Sequence, residues 1–68
     1  NIVGLSIKRL RLAHGLTQEQ LAVQMQLRGL SLTKLTASRI ETGRRMVLDY
    51  EVKAFAAYFC VPVLFLYR

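Results

Sequence analysis

Acidic residues are scarce: four Asp and Glu stand against ten Lys and Arg in 68 residues, leaving a formal charge of +6. So basic a small body attracts polyanions and associates with them quickly, although net charge alone does not say which polyanion. Cysteine is nearly absent as well. Cys60 alone excludes an internal disulfide, and with the one histidine, His14, it cannot make up a zinc site. That usage fits a reducing cytoplasm. The longest charge-free run, Ala54–Tyr67, has 14 residues and is interrupted by Pro62, whereas a bilayer-spanning helix takes about 20. No membrane role is expected. No second acid or base stands ready to work with His14, and no phosphate-cradling glycine loop or metal-ligating cluster is present. Catalysis is therefore not expected, and neither a cofactor nor a small-molecule ligand is indicated. The opening Asn1-Ile2-Val3-Gly4 has no basic start, long apolar run or cleavage site, so no signal peptide is expected. The missing initiator Met fits an excerpt of a longer protein.

Low-complexity tracts, repeats and linkers are also lacking, and the length suits one domain spanning residues 1–68. A chain of this size buries only about 60% of its unfolded surface. Its 53% apolar content therefore implies a dense core, a surface reserved for a partner, or both.

What is present is a series of short helical patterns. Val3, Ile7, Leu10 and His14 form one stripe of a first helix from about Val3 to His14, with His14 in the last turn where a cationic ring suits the helix dipole. Thr17 is a fitting N-cap for a second helix that turns Leu21, Ala22 and Met25 inward and keeps Gln18, Gln20, Gln24 and Gln26 wet. Leu27–Ser31 reads as a connection. Thr33 can cap a third helix that carries Ala37 and Ile40 inward and ends at Thr42-Gly43. Asp49 can cap a fourth, in which Val52, Phe55, Ala56 and Phe59 repeat at helical spacing. Pro62 suits the start of a short fifth helix, Val63–Tyr67. Gly15, Gly29 and Gly43 each follow a periodic segment, as residues just past a helix end should. The expectation is an all-α, compact five-helix domain.

The charge is concentrated. Lys34, Arg39, Arg44 and Arg45 fall within twelve residues and are opposed only by Glu41. Around them lie two recognisable runs, Gly15-Leu16-Thr17-Gln18-Glu19-Gln20-Leu21-Ala22 and Ser38-Arg39-Ile40-Glu41-Thr42-Gly43-Arg44-Arg45, with Ala57–Val61 a looser third. Together they resemble the Cro/repressor helix-turn-helix family, also called the xenobiotic-response-element family, over Ile7 to Tyr67. The resemblance implies a repressor-like domain whose second and third helices form the helix-turn-helix, the third lying in the major groove of double-stranded DNA. It also implies a cytoplasmic transcriptional regulator, of repressor type.

Roles follow position by position. Lys34, Leu35 and Arg39 match base-reading positions, and Thr36 and Ser38 share the outward face. Arg39 can pair bidentately with guanine, Lys34 can reach guanine or phosphate, and Leu35 either meets a thymine methyl or covers the edge of the core. Gln18 matches a position that touches phosphate or an adjacent base. Thr17, Thr42, Arg44 and Arg45 match phosphate-contacting positions. Arg11 and Glu41 match an ion pair that orients the third helix.

The chain departs from the pattern in two places. Between Ala22 and Ser38 it is about five residues longer than a family whose helices meet in a tight turn. The extra length is placed at Gln26–Leu30, where Arg28 can reach phosphate. Cys60 replaces the usual glycine and reads as a small residue buried beside the fourth helix. Finally, Val63, Leu64, Phe65, Leu66 and Tyr67 cannot all face a small core, so this end is expected to make a homodimer contact. The same apolar end supports a rival reading, a helical interaction module or antitoxin-like co-regulator that grips a protein partner.

Overall fold

The first helix, α1, spans Ile2–Ala13 in the computed structural model, which describes residues 2–68. Asn1, the start of the opening segment, lies outside the described residues. Val3 and Ile7 are buried along the expected stripe, and Leu10 is half-buried. His14 falls one residue past the helix and is exposed, yet it caps the end. The Leu10 carbonyl accepts from both the His14 amide (3.0 Å) and its ring Nδ1 (2.8 Å). The ring's apolar edge meets Phe59 at 5.0 Å between centroids. Gly15 then reverses the chain at φ 68°, a conformation that glycine alone adopts without a Cβ penalty.

Helix α2, Gln18–Gln26, opens with a reciprocal cap. Thr17 Oγ1 accepts the Gln20 amide at 3.0 Å, and Gln20 Oε1 accepts the Thr17 amide at 2.8 Å. Two otherwise orphaned backbone donors are satisfied at once. Gln20 is thus structural as well as wet. Leu21, Ala22 and Met25 are buried as predicted. The connection that follows is anchored by Leu30 and Leu32, 7% and 0% exposed, which the sequence pattern alone did not mark as core. Gln26 Nε2 donates to the Leu32 carbonyl.

Helix α3, Lys34–Glu41, is capped by Thr33, whose hydroxyl accepts the Thr36 amide at 3.2 Å. Helix α4 spans Asp49–Phe59, and here the expected cap is corrected. Asp49 is the first helical residue. Leu48 holds the N-cap position, and its amide donates at 2.9 Å to the side chain of Glu51, three residues on. The half of a capping box that a leucine cannot supply is left out, because it has no side-chain acceptor.

The fifth element is a 3₁₀ turn, Val63–Tyr67, and not an α-helix. Five residues after Pro62 are too few for a stable α-helical ladder, and the Phe65 amide bonds three residues back to Pro62 at 2.9 Å. This turn packs on α1 and α4 through Leu66, which is fully buried. Among the described residues the fold is four α-helices, this turn and no strand. Ile7, Leu21, Met25, Leu32, Ile40, Phe55 and Leu66 form the innermost layer. Each truncation to Ala there removes about 2–5 kcal/mol from a domain with little to spare.

Candidate nucleic-acid interface

Helix α3 packs chiefly on α2. Ala37, Ile40 and Glu41 are buried on that side. Lys34, Leu35 and Arg39 are exposed on the other, with Thr36 and Ser38 half-buried at its margins. Leu35 is 59% exposed, so most of its surface is free of the core edge. Among the described residues no hydrogen bond or ion pair engages the side chains of Lys34, Arg39 or Arg44. The hydroxyls here are partly committed. Thr36 Oγ1 lies 3.0 Å from Thr33 Oγ1, and Thr42 Oγ1 donates back to the Ser38 carbonyl at 2.9 Å. Thr17 Oγ1 uses its lone pair in the cap and keeps its hydrogen to donate.

Arg11 and Glu41 form the expected pair. Nε meets Oε2 at 2.7 Å, Nη2 meets Oε1 at 3.1 Å, and Nη1 donates to the Leu16 carbonyl at 2.7 Å. Their side chains are 10% and 2% exposed, so the pair joins α1, α3 and the α1–α2 turn inside the protein. Gln18 adds a third member, its Nε2 donating to Glu41 Oε1 at 3.1 Å. One of its two N–H groups is therefore spent on Glu41, which the motif alone did not reveal.

Arg45 differs from the expectation. Its Nη1 and Nη2 meet Glu51 Oε1 and Oε2 at 3.0 and 2.8 Å, and Nη1 also donates to the Met46 carbonyl. The Glu51 side chain is 4% exposed. Burial pushes the Glu51 carboxyl up, but hydrogen bonds from Arg45 and the Leu48 amide, with the Arg45 charge, outweigh it. The net position is below the ordinary carboxylate value. The hydrogen bond to Glu51 likewise holds Arg45 more firmly protonated. An Arg six residues before a Glu at a helix start was a visible signal that composition-level reading passed over.

Two further expectations are corrected, and Arg28 takes a geometry the sequence did not suggest. Arg28 folds back on its neighbours: its Nη1 donates to the Gln24 carbonyl at 3.0 Å, and its guanidinium lies 4.5 Å from the Tyr58 ring centroid. Cys60 is exposed and adopts the left-handed conformation at φ 57°, ending α4 where the family carries glycine. It is not buried, because the residue that ends a helix this way points out of it. Leu66 is core and cannot be a dimer contact, while Val63, Leu64, Phe65 and Tyr67 remain exposed.

Among the described residues there is no group of three or more His, Cys, Asp or Glu able to hold a metal ion, and no helix is long and apolar enough to cross a membrane. A family model described as a helix-turn-helix domain matches residues 2–63, nearly the whole chain. Nothing among curated proteins or solved structures matches. The match agrees with the two-helix unit α2–α3, with its outward basic face, and with the Cro/repressor motifs, and it points to DNA binding and transcription regulation. The chain belongs to the helix-turn-helix domain family.

Proposed function

We propose that the chain is a non-catalytic, cytoplasmic transcriptional regulator that binds double-stranded DNA sequence-specifically, as a repressor, with α3 in the major groove. The observation that carries this reading is the split fate of the charges. Glu41 and Glu51 are buried in ion pairs, whereas Lys34, Arg39 and Arg44 are exposed and, among the described residues, unpaired, leaving Glu19 and Asp49 as the exposed acids. An excess of free cations over exposed anions is what a phosphate-lined groove attracts. Lys34, Leu35 and Arg39 read base edges. Thr17, Gln18, Thr36, Ser38, Thr42 and Arg44 fix the register through phosphate or neighbouring groups.

One such contact set is small, so the protein acts as a homodimer that doubles it. Val63, Leu64, Phe65 and Tyr67 supply exposed apolar surface for the contact. Selection from a random duplex pool should return a palindrome with half-sites one helical turn, about 34 Å, apart. Recovery of no consensus, with no duplex retained above background, refutes the reading. The rival, a module that grips a protein, draws on the exposure of Leu27, Met46 and Leu64 at 74%, 79% and 72%; it predicts that second result.

A further inference from the structure

The α2–α3 connection, residues 27–33, is where this chain departs from a tight helix-turn-helix, and it is fastened along its length. Leu30 and Leu32 are sunk in the core at its far end, and Gln26 holds the Leu32 carbonyl. The near end has no such anchor. Leu27 is 74% exposed, and Gly29, at φ 90°, has open space where a side chain would stand. The Arg28, Gly29 and Leu30 amides close its backbone onto α2, bonding to the Met25, Gln26 and Met25 carbonyls at 3.0, 3.0 and 3.1 Å. The Arg28 side chain ties it to another helix. Its guanidinium covers the face of Tyr58 on α4 at 4.5 Å, and Nη1 is steadied by the Gln24 carbonyl at 3.0 Å and the Gln24 side-chain oxygen at 3.4 Å. Tyr58 is itself set edge-on against Phe59 at 5.0 Å, and Phe59 is buried. The cation is thus attached, through a ring packed edge-on against a buried neighbour, to α4.

We propose that Arg28 is a positioning residue for α3: by clamping the long connection to Tyr58 it fixes how α3 is presented, without touching DNA itself. A guanidinium over a ring gains from the quadrupole only while it stays there, so reaching for phosphate means giving up both the ring and Gln24. Only four residues separate Arg28 from the Thr33 cap, two of them anchored in the core, so Arg28 completes the set of ties that gives the start of α3 one placement. Although the inference relies on α3 being the DNA-reading element, its geometric half can be tested without DNA.

Two measurements on the full chain decide it, at a temperature where all variants are folded. In duplex titrations across a salt series, Arg28→Ala and Tyr58→Ala should each weaken binding about two- to fivefold at unchanged salt slope. The double variant should be no worse than either single one, and Arg28→Lys and Tyr58→Phe should stay close to wild type. In amide spectra of the free protein, Arg28→Ala should move the signals of Thr33–Arg39 as well as those of the connection. A salt slope reduced by about one in Arg28→Ala, with Tyr58→Ala neutral, makes Arg28 a phosphate contact and overturns the proposal. Unmoved α3 signals overturn it too. If the wild type binds no duplex, the function proposed above fails, and the spectra alone decide the positioning role.

Discussion

Arg44 and Arg45 follow one another in the same loop, but Arg45 is held by Glu51 and Met46 while Arg44 faces solvent without a partner. Neutralising Arg44 should weaken every duplex alike and flatten the salt dependence by about one unit. Arg45→Ala should instead destabilise the fold by about 1–3 kcal/mol, less than for a fully buried pair because the Arg45 side chain is 32% exposed. Salt titration of both variants beside urea unfolding separates the two fates; equal salt slopes for Arg44→Ala and wild type would place Arg44 away from DNA. Glu51 adds a pH dependence of known sign. Its carboxyl is held below its ordinary value of 4.5, so the native state favours its ionised form more than the unfolded chain does. That stabilisation is complete above about pH 4.5 and is lost as pH falls through the lower folded value. Urea midpoints measured from pH 6 to pH 3 should fall less steeply for Glu51→Gln than for wild type, and parallel curves would contradict the assignment. Arg39, by contrast, is argued as a base reader. Its replacement by Ala should cost about 1–3 kcal/mol per site and relax one base position. A uniform loss over all sequences would make it a phosphate contact only.

The helices are held in place chiefly by how they are joined and ended. Arg11 and Glu41 tie α1 to the end of α3, and once one is gone the other is a buried charge left with a single neutral partner, the Leu16 carbonyl for Arg11 or Gln18 for Glu41. Either truncation should cost about 3–5 kcal/mol and the double change less than the sum; an additive double-mutant cycle refutes the coupling. At the end of α4, Cys60 sits at φ 57°, where a Cβ is unfavourable. Cys60→Gly should stabilise the domain by about 0.5–1 kcal/mol, net of the entropy glycine adds to the unfolded chain. A loss of stability on thermal unfolding would mean that the thiol packs usefully. These elements also show what was legible beforehand. Apolar spacing gave the inward faces of α2, α3 and α4, and the motif gave Arg11–Glu41, because periodicity and spacing survive translation into a helix. Leu32 and Leu30 were not legible, since a connection has no period to mark its anchors. The 3₁₀ form of Val63–Tyr67 was hidden for a similar reason, as five residues carry too little pattern to fix a hydrogen-bond register.

At the scale of the whole molecule, the exposed cations Lys34, Arg39 and Arg44 belong to α3 and the loop after it, and the candidate site's outward side was readable because charge cluster and motif coincide. Its inner bonding was not. Gln18 to Glu41 and Arg28 to Tyr58 join residues whose meeting depends on chain reversal, which a linear pattern does not encode. The apolar residues Val63, Leu64, Phe65 and Tyr67 bear on assembly. Sedimentation with a palindromic duplex should give two proteins per site for the wild type and one, more weakly held, for Leu64→Asp/Phe65→Asp. Equal affinity and a 1:1 stoichiometry for both contradict the dimer. The central claim, that this face binds double-stranded DNA, is tested most directly by fluorescence anisotropy with a labelled duplex across a salt series, comparing wild type with Lys34→Ala/Arg39→Ala/Arg44→Ala. Affinity should fall linearly in log–log form with salt, and the slope should drop by about one to two units in the triple variant, from Arg44 and, where it reaches phosphate, Lys34. Binding that is absent, or indifferent to salt and to all three substitutions, would contradict the claim.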